Sequence, residues 1–209
     1  MTEERIAELI ANLKRRNING IYLNSRQEAR ERIKQLILKR ASVGISGSKT
    51  LDELGIVADL EASDYEVFNQ YKPGISREQS MRMRSLGSRA DYFLTSCNAI
   101  AQTGEMVFFS GYGHRTSGIA NADNLIVTCG LNKISPDLDA ALKRSREYAT
   151  VLNCKRLDWK SACLKDGICH KDICLAPDYK RMCCQVLIIE GEINPDRVKV
   201  IIVGENLGF

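Results

Sequence analysis

DYFLTSCNAIAQTGEMVFFSGYGHRTSGIANADNLIVTCGLNK, residues 91–133, sets three short apolar runs between polar tips. The runs are Tyr92–Leu94, Met106–Phe109 and Leu125–Val127, and the tips read SCNAIAQTGE, SGYGHR and CGLNK. Strands covered on both faces of a parallel or mixed sheet show as continuous apolar runs of this kind. In such sheets ligands sit where strands end and loops begin. The stretch therefore predicts three buried strands whose polar ends make a site.

Upstream, Ile6, Leu9, Ile10 and Leu13 recur at helical spacing and predict an amphipathic helix over residues 3–16. A short strand is expected at Ile21–Leu23. Ser25 and Glu28 then stand at capping-box spacing before a helix with Ala29, Ile33, Leu36 and Ile37 inward. SVGISGSKTLDELGI, residues 42–56, reads as a strand (Val43–Ile45), a small-residue turn at Gly47, and a helix with Leu51, Leu54 and Val57 inward. A turn of that kind aims backbone N–H groups at an anion, and glycine lets the ligand approach closely. It serves equally as a tight strand-to-helix connection. Gly-x-x-x-x-Gly-Lys-[Ser/Thr] is absent, so it is not a Walker loop.

Tyr65–Tyr71 reads as a strand stopped by Pro73–Gly74, and Ser76 opens a helix carrying Arg77, Arg82, Arg84 and Arg89. Downstream, Ser135 is expected to cap a helix with Pro136 at its first position. Val186–Ile189 and Val198–Val203 are expected to form a hairpin across Asn194–Asp196. Helices alternating with strands predict a single α/β domain over residues 1–209 with a mixed sheet, and a cysteine-rich segment at 154–184 within it.

The 209 residues suffice for a full-sized core. The apolar fraction of 44% and charged fraction of 27% are those of a globular chain. No apolar run is long enough to span a membrane, and residues 1–17 are charged throughout, so a cytoplasmic location is expected. The net charge of +4 equals the excess in residues 26–40 alone, with six Lys/Arg and two Glu. A basic helix face accounts for it, and nucleic-acid binding is not expected.

Six of the eight cysteines fall in residues 154–184. Thiolates suit zinc and iron–sulfur clusters. The order Cys163-x5-Cys169-x4-Cys174-x8-Cys183 matches neither the zinc-ribbon knuckle nor bacterial ferredoxin spacing. These four are the expected metal ligands, with a redox disulfide pair or buried free thiols as the alternatives. In the central stretch Glu105, after Thr103 and Gly104, is the candidate nucleophile or general base. His114 and Arg115 are candidate anion contacts. Cys97 offers a nucleophile, but no base stands beside it in sequence, and it reads first as a small buried residue. Asn98, Asn132 and Lys133 end two of the runs as polar contacts.

TSCNAIAQTGEMV, GYGHR, CGLNKIS and VGISGSKTLDELGI together resemble the motifs of the lactate-utilisation domain family of the LutC/YkgG type. The match runs over nearly the whole chain. CLKDGIC and APDYKRMC resemble a four-cysteine insert of many anaerobe members, with gaps two residues longer before Cys174 and before Cys183. His114 stands where the family usually has Asn. The resemblance implies a three-layer α/β/α fold of the NagB/RpiA/CoA-transferase type. It implies a ligand-binding turn at Gly44, Ser46, Gly47, Ser48 and Thr50, and a counterpart of the transferase nucleophile at Glu105. It also implies a subunit or accessory role in oxidation of lactate to pyruvate beside iron–sulfur partner proteins. The expected cleft is then built from residues 44–50, 97–105, 113–115 and 132–133, binding a small anionic or phosphorylated ligand. Two other readings stand beside it: a CoA-transferase-like or sugar-phosphate-isomerase-like enzyme using Glu105, and a non-enzymatic scaffold docking an iron–sulfur partner. The oligomeric state, a homo-oligomer included, is left open.

Overall fold

The computed structural model describes residues 1–209. The chain opens on α1 (Glu3–Arg15), capped by the Thr2 hydroxyl, with Glu3 and Glu4 in the first turn and Lys14 and Arg15 in the last. That order of charge complements the helix dipole. Its buried residues, Ile6, Leu9 and Leu13, are those of the periodic pattern. β1 (Asn19–Leu23), α2 (Arg26–Leu36) and β2 (Ser42–Ile45) follow. Ser25 caps α2 by accepting from the Glu28 N–H, while the Glu28 carboxylate turns back to the Asn24 N–H. α3 (Lys49–Leu54) and α4 (Ile56–Glu61) are divided at Gly55, whose φ of 69° is left-handed. A residue with a Cβ is strained there.

Next come β3 (Glu66–Phe68) and α5 (Arg77–Gly87), the latter opened by a complete capping box between Ser76 and Gln79. β4 (Tyr92–Thr95), β5 (Ala99–Ala101), β6 (Met106–Ser110), α6 (His114–Asn121), β7 (Asn124–Gly130) and β8 (Ile134–Ser135) carry the central stretch. α7 (Leu138–Arg144) and α8 (Thr150–Arg156) are one helix interrupted by a π turn at Ser145–Ala149. An irregular segment then leads to β9 (Gln185–Ile189) and β10 (Val198–Val203).

Six strands form an all-parallel sheet in the order β1-β10-β7-β4-β2-β3. Pleating sends alternate residues to opposite faces. Leu94, Ile126, Ile201 and Val203 meet Ala29, Ile33, Leu51, Ile56 and Leu60 from α2, α3 and α4. Phe93, Leu125, Val127, Val200 and Ile202 meet Leu9 and Leu13 of α1, Ile119 of α6, and Phe108 of β6. Each of the Val, Leu, Ile and Phe side chains among them contributes about 1.5–3 kcal/mol relative to exposure. Two helical layers therefore enclose one sheet, the three-layer α/β/α architecture.

The mixed character lies in a second sheet of four strands, ordered β8-β5-β6-β9. Here the structure corrects two expectations. Met106–Phe109 does not join the main sheet. β5 and β6 are antiparallel because only four residues separate them, and a parallel partner needs a crossover of a dozen or more. Val186–Ile189 and Val198–Val203 do not form a hairpin either. Half-exposed β9 pairs with β6 at the edge of the small sheet, and β10 sits between β1 and β7 in the large one. β10 is buried at five of its six residues, so it needs a neighbour on both sides. Ser135 lies in β8, and Asp137 caps α7 instead by accepting from the Ala140 N–H at 2.8 Å.

Candidate functional site

From β2 the chain leaves towards β3, and from β4 it leaves towards β7, on the opposite side. The carboxyl ends of β2 and β4 therefore flank a topological switch point, where parallel sheets open a crevice. A cleft of about 290 Å³ lies there. The residues that follow five strands meet around it: Tyr71 after β3, Gly47 and Ser48 after β2, Ser96, Cys97 and Asn98 after β4, Lys133 after β7, and Phe209 after β10. Its other walls come from Arg84 of α5, Tyr112, His114 and Arg115 around the start of α6, and Thr150, Asn153 and Arg156 of α8. The turn after β2 is tied to the turn after β4 by paired hydroxyls, Ser46 to Thr95 and Ser48 to Ser96, each 2.7 Å apart.

Five cationic side chains line this cleft (Lys49, Arg84, Arg115, Lys133 and Arg156), and no Asp or Glu side chain does. Lys133 is 3% exposed. Its Nζ donates to Thr50 Oγ1 at 2.8 Å and to the Cys97 carbonyl at 3.2 Å. Burial is the main cause that brings its pKa down to about 8, the neighbouring Cys97 and Cys129 thiols opposing that shift. Arg115 donates to Asn98 Oδ1, the Phe109 carbonyl and the Gly47 carbonyl at 3.2, 3.2 and 2.5 Å. Arg84 lies over the Tyr112 ring, 5.2 Å from its centroid, with its Nε unpartnered. His114 faces Tyr71 Oη at 3.3 Å and leaves Nδ1 buried without a partner. Burial, aided by Arg115 and Arg84, takes its pKa down to about 4, so it is neutral at pH 7. None of Arg84, Arg115, Lys133 and Arg156 is paired with a carboxylate. Uncompensated buried charge is costly, and a clustered positive field in a low-dielectric cleft attracts anions.

Of the residues named from sequence, Gly47, Ser48, Thr50, Asn98, His114, Arg115 and Lys133 meet in this cleft. Gly44 and Ser46 do not line it. A Cβ on Gly44 would run into the Gly87 backbone, so this glycine lets α5 rest on β2, and the Ser46 hydroxyl is buried against Thr95. Asn132 instead ties down residues 207 and 208, accepting from the Leu207 N–H and donating to the Gly208 carbonyl. Thr103, Gly104 and Glu105 also lie outside the cleft, in the tight turn between β5 and β6. There the Glu105 carboxylate is held by Arg16, at the end of α1, and by the Thr103 hydroxyl. The same hairpin that keeps β6 out of the main sheet turns Glu105 away from its strand ends.

A family model described as the LUD domain matches residues 6–203. The chain belongs to the LUD domain family. Among solved structures it is similar to a DUF162 family protein from Deinococcus radiodurans, with 15% identity, 96% of each chain covered and a TM-score of 0.55. That likeness shows a shared fold. A partial likeness to eIF2B beta from Chaetomium thermophilum covers 54% of this chain and 40% of that one, with 15% identity and a TM-score of 0.36. No curated protein matches the chain.

In this LUD domain the cysteine segment walls the cleft. Leu157, Trp159 and Met182 line it, and Trp159 Nε1 donates to the Lys180 carbonyl at 2.6 Å, closing the segment on itself. The Trp159 ring meets Tyr112 edge to face, centroids 6.0 Å apart. Cys154, Cys163, Cys169, Cys174 and Cys183 line one small cavity, which shares Thr150 and Met182 with the cleft. Thiol chemistry suits a soft metal, but no three Cys, His, Asp or Glu side chains gather closely enough to hold an ion. All eight cysteines are free thiols, and burial first of all pushes Cys154 up to about 12. No helix of the LUD domain is long and apolar enough to cross a membrane. Sequence reasoning missed Tyr71, Arg84, Tyr112, Arg156 and Trp159 as site residues. The one available signal was the single tryptophan standing among the cysteines.

Proposed function

We propose that this protein acts in lactate utilisation by binding a small carboxylate- or phosphate-bearing ligand in the cleft, as a subunit or accessory of lactate oxidation. The observation that carries this reading is a switch-point cleft ringed by five cations, with no acidic side chain among its lining residues. Membership of the LUD domain family supports the metabolic setting. In this reading Arg115 and Lys133 hold the anionic group, Arg84 and Arg156 widen the positive field, and neutral His114 offers a hydrogen bond. The aromatic wall of Tyr71, Tyr112 and Trp159 covers the rest of the ligand. Glu105 and the thiols of residues 163–183 take no part in it.

A ligand that binds only the folded state raises its stability in proportion to the logarithm of its concentration, by about 2.7 kcal/mol at a hundred times Kd. Inorganic phosphate, lactate and pyruvate are the probes. A concentration-dependent rise in Tm is expected with at least one of them. It is expected to vanish in Lys133→Met and Arg115→Ala and to persist in Glu105→Gln. No rise with any probe, or an equal rise in Lys133→Met, would sink the proposal. A rise lost only in Glu105→Gln would instead support the transferase-like alternative.

A further inference from the structure

Cys97 is a cleft residue, 1% exposed, at the carboxyl end of β4. It stands two residues past the pairing of Thr95 with Val127, level with Cys129 on β7. Three cations surround it: Lys133 bonded to its carbonyl, Arg115 bonded to the side chain of Asn98, and Arg144 bonded to the carbonyl of Asn98 at 2.7 Å. None of the three is paired with an Asp or Glu side chain; Arg144 also donates to the Asn132 carbonyl and to Phe209 O. The neighbouring Cys129 thiol first, and then the charges of Lys133 and Arg144, hold the Cys97 thiol below its ordinary pKa against the effect of burial, while Cys129 is pushed well above its own. Thiolate character is what makes a cysteine reactive, and an electropositive niche in a cleft is where reactive cysteines sit.

We propose that Cys97 is a nucleophile, its thiolate attacking an electrophilic carbon of the small carboxylate- or phosphate-bearing substrate held in the cleft. The inference rests on the anion-binding reading above. At a carbonyl carbon the S–C bond forms, the π pair moves onto the oxygen, and that oxygen takes a proton from the Lys133 ammonium. The reverse steps release the carbonyl and restore the thiolate. No oxidant or reductant is consumed.

Alkylation of the whole protein with iodoacetate and with iodoacetamide tests this, the labelled residues being mapped by mass spectrometry. In both reactions the S–C bond forms as the C–I bond breaks and iodide leaves. Cys97 is expected to react with the anionic reagent about tenfold faster than with the neutral one, after each rate is normalised to free cysteine, because the positive cleft concentrates anions. Inorganic phosphate is expected to slow the anionic reagent. The pH midpoint of labelling is expected to rise in Cys129→Ala, which removes the neighbouring thiol, and to stay close to wild type in Cys129→Ser, which keeps a polar hydrogen there. An unlabelled Cys97 beside a labelled Cys184, with phosphate still raising Tm, overturns the nucleophile and leaves the anion site standing. Equal normalised rates with no phosphate protection overturn both.

Discussion

Lys133 concentrates the chemistry of the cleft in one residue. Its ammonium is buried beside a threonine hydroxyl and a carbonyl, and burial lowers its pKa to about 8. A bound anion stabilises the charged form and raises that pKa. Anion binding therefore takes up a proton where the free protein has lost it. Affinity is full below pH 8 and falls as pH rises through that value. Titrations between pH 6.5 and 9.5 with sulfate, an anion that does not itself ionise there, should show that fall. Gly44 shows the other kind of constraint. A Cβ there meets the Gly87 backbone, which no side-chain rotation relieves. Gly44→Ala is expected to cost about 1–3 kcal/mol, read from the urea midpoint, as overpacked sites do.

Among the elements, the cysteine segment ties the two halves of the site together. Trp159 is held by the Lys180 carbonyl and rests its ring against Tyr112, so the segment reaches the loop that leads into α6. Such an edge-to-face pair is worth about 0.5–1.5 kcal/mol beyond area burial. The chain has one tryptophan, and it lines the cleft. Its emission should change as phosphate is added, with the Kd obtained from thermal shifts, and stay constant in Lys133→Met. The π turn at Ser145–Ala149 belongs to the same wall. It brings Ala149 and Thr150 to the cleft, and the Thr150 hydroxyl takes up the Ser145 carbonyl at 2.7 Å. Turns of this kind recur at functional sites in helices.

The whole molecule divides into a rigid sheet and a looser rim. β4, β7 and β10 lie inside the parallel sheet with residues buried on both faces, whereas residues 157–184 hold one short 3₁₀ turn and a scatter of local backbone bonds. Amides with many buried neighbours exchange only on global opening, and exposed loop amides exchange by local opening. Hydrogen exchange is expected to be slowest in β4, β7 and β10 and fastest in residues 165–181. Phosphate should slow exchange in the turns at 46–50 and 96–98, which flank the switch point.

Much of this was readable from local pattern. The helix starts at Ser25 and Ser76, the apolar runs of β4, β7 and β10, and the small-residue turn after β2 each report a neighbourhood of a few residues, and such neighbourhoods are set by local sterics and hydrogen bonding. The four motifs were enough for the family, and the cleft gathers Gly47, Ser48, Thr50, Asn98, His114, Arg115 and Lys133 from them. Pairing was decided elsewhere. An apolar run looks the same in either sheet, so the place of β6 and β9 followed from loop lengths and from which edges were left to bury. The direction of Glu105 followed from that choice. Arg84, Arg156 and Trp159 come to the cleft from 49, 23 and 26 residues away from Lys133 in sequence, brought there by helix packing and by the folding back of the cysteine segment. Periodicity records how deeply a residue is buried, but only long-range packing determines which residues it is buried with.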